Sequence, residues 1–118
     1  MNIEELRDYC LSLKGTTDEF PFDDVSMVLK VQGKMFGLIP LDNPETQISL
    51  KCDPERAVQL REEFDAITPA WHFNKKHWNT VFIRPSISQK FLCELINHSY
   101  DLVVAGLPRK LKEELENL

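Results

Sequence analysis

Val25-Ser26-Met27-Val28-Leu29-Lys30-Val31-Gln32-Gly33-Lys34-Met35-Phe36-Gly37-Leu38-Ile39-Pro40 is the stretch that decides the fold. Val25, Met27, Leu29 and Val31 occupy one phase of a two-residue period. Ser26, Lys30 and Gln32 occupy the other, and only Val28 breaks the polarity of that face. Side chains alternate across a strand, so the pattern predicts a half-buried β-strand. Gly33 marks a tight turn, and Met35–Ile39 returns as the antiparallel partner.

Downstream, Pro40 and Asn43-Pro44 form the next turn. Ile48, Leu50 and Cys52 then alternate with Gln47, Ser49 and Lys51, which predicts a third strand and an antiparallel meander. Asp53-Pro54 starts a helix, with an N-cap acid before a proline whose missing N–H costs nothing there. Ala57, Leu60 and Phe64 form its buried stripe. Two further strands are predicted over Ile67–Phe73 and Trp78–Ile83, joined by Asn74-Lys75-Lys76-His77. Ser86 with Gln89 fits a capping box for a long last helix with a wide apolar face that Gly106-Leu107-Pro108 closes. A short charged helix, Arg109–Leu118, follows.

Upstream, Asn2 with Glu5 fits a capping box, and Ile3, Leu6, Cys10 and Leu13 recur at helical spacing until Gly15. The predicted architecture is one α+β domain over residues 1–118, in the order α-β-β-β-α-β-β-α. It has two layers, an antiparallel five-stranded sheet with helices on one face, plus the short C-terminal helix.

The chain of 118 residues is long enough to bury a core without disulfide or metal staples. Cys10, Cys52 and Cys93 lie far apart, form no C-x-x-C pair, and fall on apolar phases, so they read as small buried hydrophobes. No apolar run approaches the ~18 residues of a membrane span. Met1-Asn2-Ile3-Glu4-Glu5 lacks the features of a signal peptide, so the expected location is cytoplasmic.

Net charge is −5, but the charge is segregated. Residues 1–24 carry seven acids against Arg7 and Lys14, which accounts for the whole imbalance. Between Asp65 and Glu94 there is no acid, while Lys75, Lys76, Arg84, Lys90, His72 and His77 all occur there. Local charge, more than net charge, selects a partner.

Four ordered elements carry a family resemblance: Lys30–Phe36, Ser49–Glu55, Pro69–Trp78 (Pro-Ala-Trp-His-Phe-Asn-Lys-Lys-His-Trp) and Ser99–Val103 (Ser-Tyr-Asp-Leu-Val). The chain resembles the MmcQ/YjbR-like family of small bacterial proteins from Glu5 to about Leu111. That resemblance implies a fold similar to secretion chaperones and frataxin-like domains. It also implies DNA binding through a double wing of β-hairpins.

Cations for phosphates and flat rings for bases make a nucleic-acid surface, and Trp71–Arg84 interleaves the two. The candidate contacts are Lys34 on the first hairpin with Trp71, Asn74, Lys75, Lys76, His77, Trp78 and Arg84. The competing reading makes the lysines solvated turn residues and packs Trp71 and Trp78 in the core or across strands. The expected partner is nucleic acid, DNA first, for a monomer or weak dimer that is not an enzyme. A protein- or peptide-binding adaptor is the alternative.

Other constellations are weaker. His72, His77 and His98 could bind a metal only if the hairpin and the last helix brought two of them together, and the hairpin itself offers no acid as a further ligand, so no metal and no cofactor are expected. The N-terminal acids read as a solvated helix face before they read as an iron-binding one. Ser99-Tyr100-Asp101 occupies consecutive helix positions that point apart. No P-loop, dinucleotide or nucleophile-elbow motif is present.

Overall fold

The computed structural model describes residues 1–118. Its elements are α1 (Ile3–Ser12), β1 (Thr16–Glu19), β2 (Ser26–Val31), β3 (Lys34–Pro40), β4 (Gln47–Lys51), α2 (Pro54–Glu63), β5 (Ile67–Pro69), β6 (Trp78–Phe82), α3 (Gln89–Ala105) and α4 (Arg109–Glu116). The strands form one antiparallel sheet in the order β1-β2-β3-β4-β6-β5. No helix is long and apolar enough to cross a membrane.

The sheet has six strands, not the expected five. The addition is β1, Thr16-Thr17-Asp18-Glu19, which contains no apolar side chain and so shows no hydrophobic alternation. Its backbone pairs with β2 along the sheet edge. Arg7 Nε donates to Asp18 Oδ2 at 2.8 Å on the helix side, and Lys30 Nζ lies 3.3 Å from Glu19 Oε2 on the other.

The β2–β3 hairpin closes in two residues, Gln32 (φ 49°) and Gly33 (φ 78°). Two successive positive φ values match the twist of the flanking strands. Gln32 is held in this conformation, unusual for a residue with a Cβ, while its side-chain amide donates to the Leu111 carbonyl at 3.1 Å. Lys30 then faces Met35 and Leu29 faces Gly37, so Phe36 is the extra residue of a β-bulge. Its ring is fully buried and meets Tyr100 edge-on at 5.5 Å.

Two expected boundaries shift. The strand drawn over Ile67–Phe73 ends at Pro69, because Phe73 N–H turns back to the Ala70 carbonyl. The cap of α3 is Ser88, not Ser86: Ser88 Oγ accepts from Phe91 N–H at 3.1 Å, while Ile87 N–H closes a turn on the Arg84 carbonyl. Buried Ile87 and Leu92 then occupy the two positions of a hydrophobic staple.

The core lies between the helices and one face of the sheet. Met27, Leu29, Val31, Ile39, Ile48, Leu50 and Val81 from the strands join Leu6, Cys10, Ala57, Leu60, Leu92 and Ile96 from the helices. One polar hub stitches the layers. Fully buried Ser99 on α3 donates to the Phe36 carbonyl at 2.6 Å and accepts from Lys51 N–H at 2.9 Å. Ser99→Ala strands both backbone groups, each costing ~1–3 kcal/mol when unpaired. We expect urea unfolding to report a loss of about 2 kcal/mol or more; a loss under ~0.5 kcal/mol, the range of neutral surface changes, would show that the hub is dispensable.

Candidate nucleic-acid interface

Register decides where the candidate residues meet. Gly37 faces Leu50, and Leu50 faces Asn79, so these three form one row across β3, β4 and β6. Beyond that row, at the same end of the sheet, lie the Gln32-Gly33 turn with Lys34 and the loop from Ala70 to His77. Only β4 separates the two features, roughly 10 Å at the level of the sheet from two strand spacings.

The loop is built, not draped. Ala70 N–H donates to the Trp78 carbonyl at 3.1 Å, and the His77 and Trp78 N–H groups both donate to the Asn74 carbonyl at 3.0 Å. Asn74 Oδ1 accepts from Lys76 N–H at 3.0 Å. From beneath, Arg61 on α2 donates to the Lys75 carbonyl and, at 2.6 Å, to Asn79 Oδ1, whose amide reaches the Ala57 carbonyl at 3.3 Å. Phe73 stacks on Trp78 at 4.9 Å. Asn74 and Trp78 therefore shape the loop, while Lys75, Lys76 and Lys34 project from the surface. The half-buried His77 continues the ladder, its carbonyl accepting from Cys52 N–H at 2.7 Å.

Trp71, which the competing reading packs in the core or across strands, is 67% exposed, with Lys75 Nζ 4.2 Å from its ring centroid. Arg84, expected as a phosphate contact, is closed on Glu45 by two hydrogen bonds of 2.6 and 3.0 Å. The Glu45 bond raises the Arg84 pKa, and the same bond lowers that of Glu45, so both stay ionised and mutually neutralised. Lys34, Lys75 and Lys76 take part in none of the five ion pairs.

The face of the sheet opposite the helices carries a groove of about 740 Å³. Its floor includes Ser49 and Thr80, whose hydroxyls pair at 2.9 Å, with Gln47 and Leu38 beside them. Trp71 and Phe73 wall one end, and Phe22, 70% exposed, walls the other. Phe22 belongs to the loop joining β1 to β2, which Asp23 braces by accepting from Val25 N–H at 3.0 Å and Ser26 N–H at 2.7 Å. These bonds, the first above all, lower the Asp23 pKa and keep its charge in place. This wall is not among the residues expected from the sequence. Its available signal is Phe20-Pro21-Phe22, two rings around a proline between acids, claimed by no strand or helix stripe.

The remaining candidates disperse. No three His, Cys, Asp or Glu side chains converge closely enough to hold a metal ion. His98 Nε2 accepts from Asp53 N–H at 3.2 Å, and burial lowers its pKa. Ser99 points into the core, the Tyr100 hydroxyl donates to the Lys14 carbonyl at 2.5 Å, and Asp101 is exposed. Cys10 and Cys52 are buried, and burial pushes the Cys10 thiol up to about 12, leaving it protonated at neutral pH; Cys93 is half-buried.

A family model described as YjbR matches residues 11–102. The uncharacterised protein YjbR of Escherichia coli K12 is 30% identical over 118 residues, covering all of both chains. The uncharacterised protein YbdF of Escherichia coli O157:H7 is 37% identical over 91 residues, covering 77% of this chain and 75% of that one. Among solved structures, Deinococcus radiodurans protein DR2400, a DUF419 domain, superposes with a TM-score of 0.90 at 36% identity. It covers 98% of this chain and 88% of its own. A Pseudomonas syringae protein superposes with a TM-score of 0.75 at 28% identity, covering 86% of this chain and 98% of its own.

Proposed function

The chain belongs to the YjbR family, and from that premise we propose that it is a nucleic-acid-binding protein, not an enzyme, holding phosphates with lysines at one end of its sheet. The observation that carries this reading is the grouping of Lys34, Lys75 and Lys76, none ion-paired, at the same end of the sheet beside exposed Trp71. The hairpin tip and the longer loop act as two wings with β4 between them. DNA is the first substrate to try. Arg84 takes no part, because leaving Glu45 for a phosphate exchanges one anion for another.

A second reading, a protein- or peptide-binding adaptor, is supported by exposed Phe20, Phe22 and Leu41. Salt separates the two. Three phosphate contacts give a log–log slope of affinity against salt of about −3 on duplex DNA and about −2 on a single strand. A slope near zero, with capture that persists at high salt, favours the adaptor instead.

A further inference from the structure

We propose that the groove on the open sheet face is a nucleotide site. It takes one unpaired base, stacked against Trp71, with that nucleotide's phosphate at Lys75 and Lys76. This rests on the reading that these lysines meet phosphates.

A ring as exposed as Trp71 gains by being covered, and the loop around it is anchored at both ends. Lys75 Nζ already lies over one face of that ring, so a base stacked on the other face finds a cation for its phosphate close by. Phe22 offers a second apolar wall across the groove. The floor between them presents amide and hydroxyl groups from Gln47, Ser49 and Thr80, and no lysine or arginine lines it. That chemistry suits a flat, uncharged ring with donors and acceptors along its edge, and a groove of about 740 Å³ falls in the range of small-ligand sites.

Charge sets the direction. The Phe22 end carries Asp23, with the exposed Asp24 and Asp42 nearby in the loops at that end of the sheet, and repels phosphate, whereas the Trp71 end attracts it. A long strand along the whole groove is disfavoured, and the paired bases of a duplex cannot enter. The ligand is a nucleotide with a free base, supplied by a single strand or as a mononucleotide.

The test uses the full chain, with Trp fluorescence and titration of an oligothymidylate, a blunt duplex of equal length, and free nucleoside monophosphates. We expect the single strand to bind at least about tenfold tighter than the duplex and to quench Trp71, since stacking one base contributes that much. Trp71→Ala brings this ratio near one, and Trp71→Phe restores most of it. Quenching by monophosphates identifies free nucleotide as a source; quenching by the oligonucleotide alone identifies a strand.

If the parent prefers duplex, or Trp71→Ala leaves the ratio unchanged, the groove proposal is overturned while lysine-dependent binding stands. If neither polymer binds at low salt but monophosphates quench Trp71, the nucleotide site stands and the nucleic-acid reading fails. If nothing binds, both fail.

Discussion

Lys75→Glu/Lys76→Glu binds nucleic acid at least about a hundredfold more weakly than the parent at low salt. A unit-charge contact at 4 Å in water contributes ~1 kcal/mol, and reversing the sign replaces attraction with equal repulsion. Two such reversals come to ~4 kcal/mol, which counter-ions and side-chain freedom reduce to about a hundredfold. The salt slope falls with it, from about −3 to about −1 on duplex, because only Lys34 remains. Folding is spared. Both side chains are exposed, and the Lys75 carbonyl still accepts from Arg61. Lys90→Glu, an exposed and unpaired lysine at the start of α3, is the control and shifts affinity by about twofold or less. Equal losses from Lys90→Glu and from the double reversal would reduce the site to net charge alone. An unchanged affinity in the double variant removes the wing assignment altogether.

Phe36→Ala destabilises the fold by about 3–5 kcal/mol, the range for truncating a buried phenylalanine. Its ring fills the space between the bulge and α3, edge-on to Tyr100, and is fully buried. The bulge directs the Phe36 ring toward α3, and its carbonyl accepts from Ser99. Truncation therefore opens a cavity where sheet and helix are joined. Against a total stability of ~5–15 kcal/mol, this leaves a marginal protein. Phe36→Leu keeps most of the volume and costs less than Phe36→Ala. Urea unfolding with an unchanged m-value reads both variants. A cost below ~1.5 kcal/mol for Phe36→Ala would mean that the layers close around the gap and that the bulge does not set their spacing.

The candidate site was legible in its residue types and only partly in its geometry. The acid-free run Ala66–Cys93 implies a free Arg84, yet Glu45, thirty-nine positions away, neutralises it. Asn74 looked like a displayed tip residue, but its carbonyl and side chain are spent on the turn. Trp71 and Trp78 are seven residues apart with the same chemistry. One is exposed and the other stacks on Phe73, a difference set by where the chain leaves the sheet at Pro69.

Local physics determined what neighbouring residues could settle among themselves. The caps at Asn2 and Asp53, the Gly33 turn, the apolar stripe of α3 and the alternation in β2 each need only a few adjacent positions, because one turn or one pleat is the length over which they act. Strand order and edge pairing are long-range, and tertiary structure alone decided them. The β1 strand is held by backbone pairing and two ion pairs to other elements, and with no apolar side chain it shows none of the alternation by which a strand is read. The same long-range pairing brings Lys34 to the end of the sheet where Lys75 and Lys76 stand, and folds Phe22 and Trp71 onto one face. Contacts between distant parts of a chain depend on how its layers stack, and no local pattern encodes that.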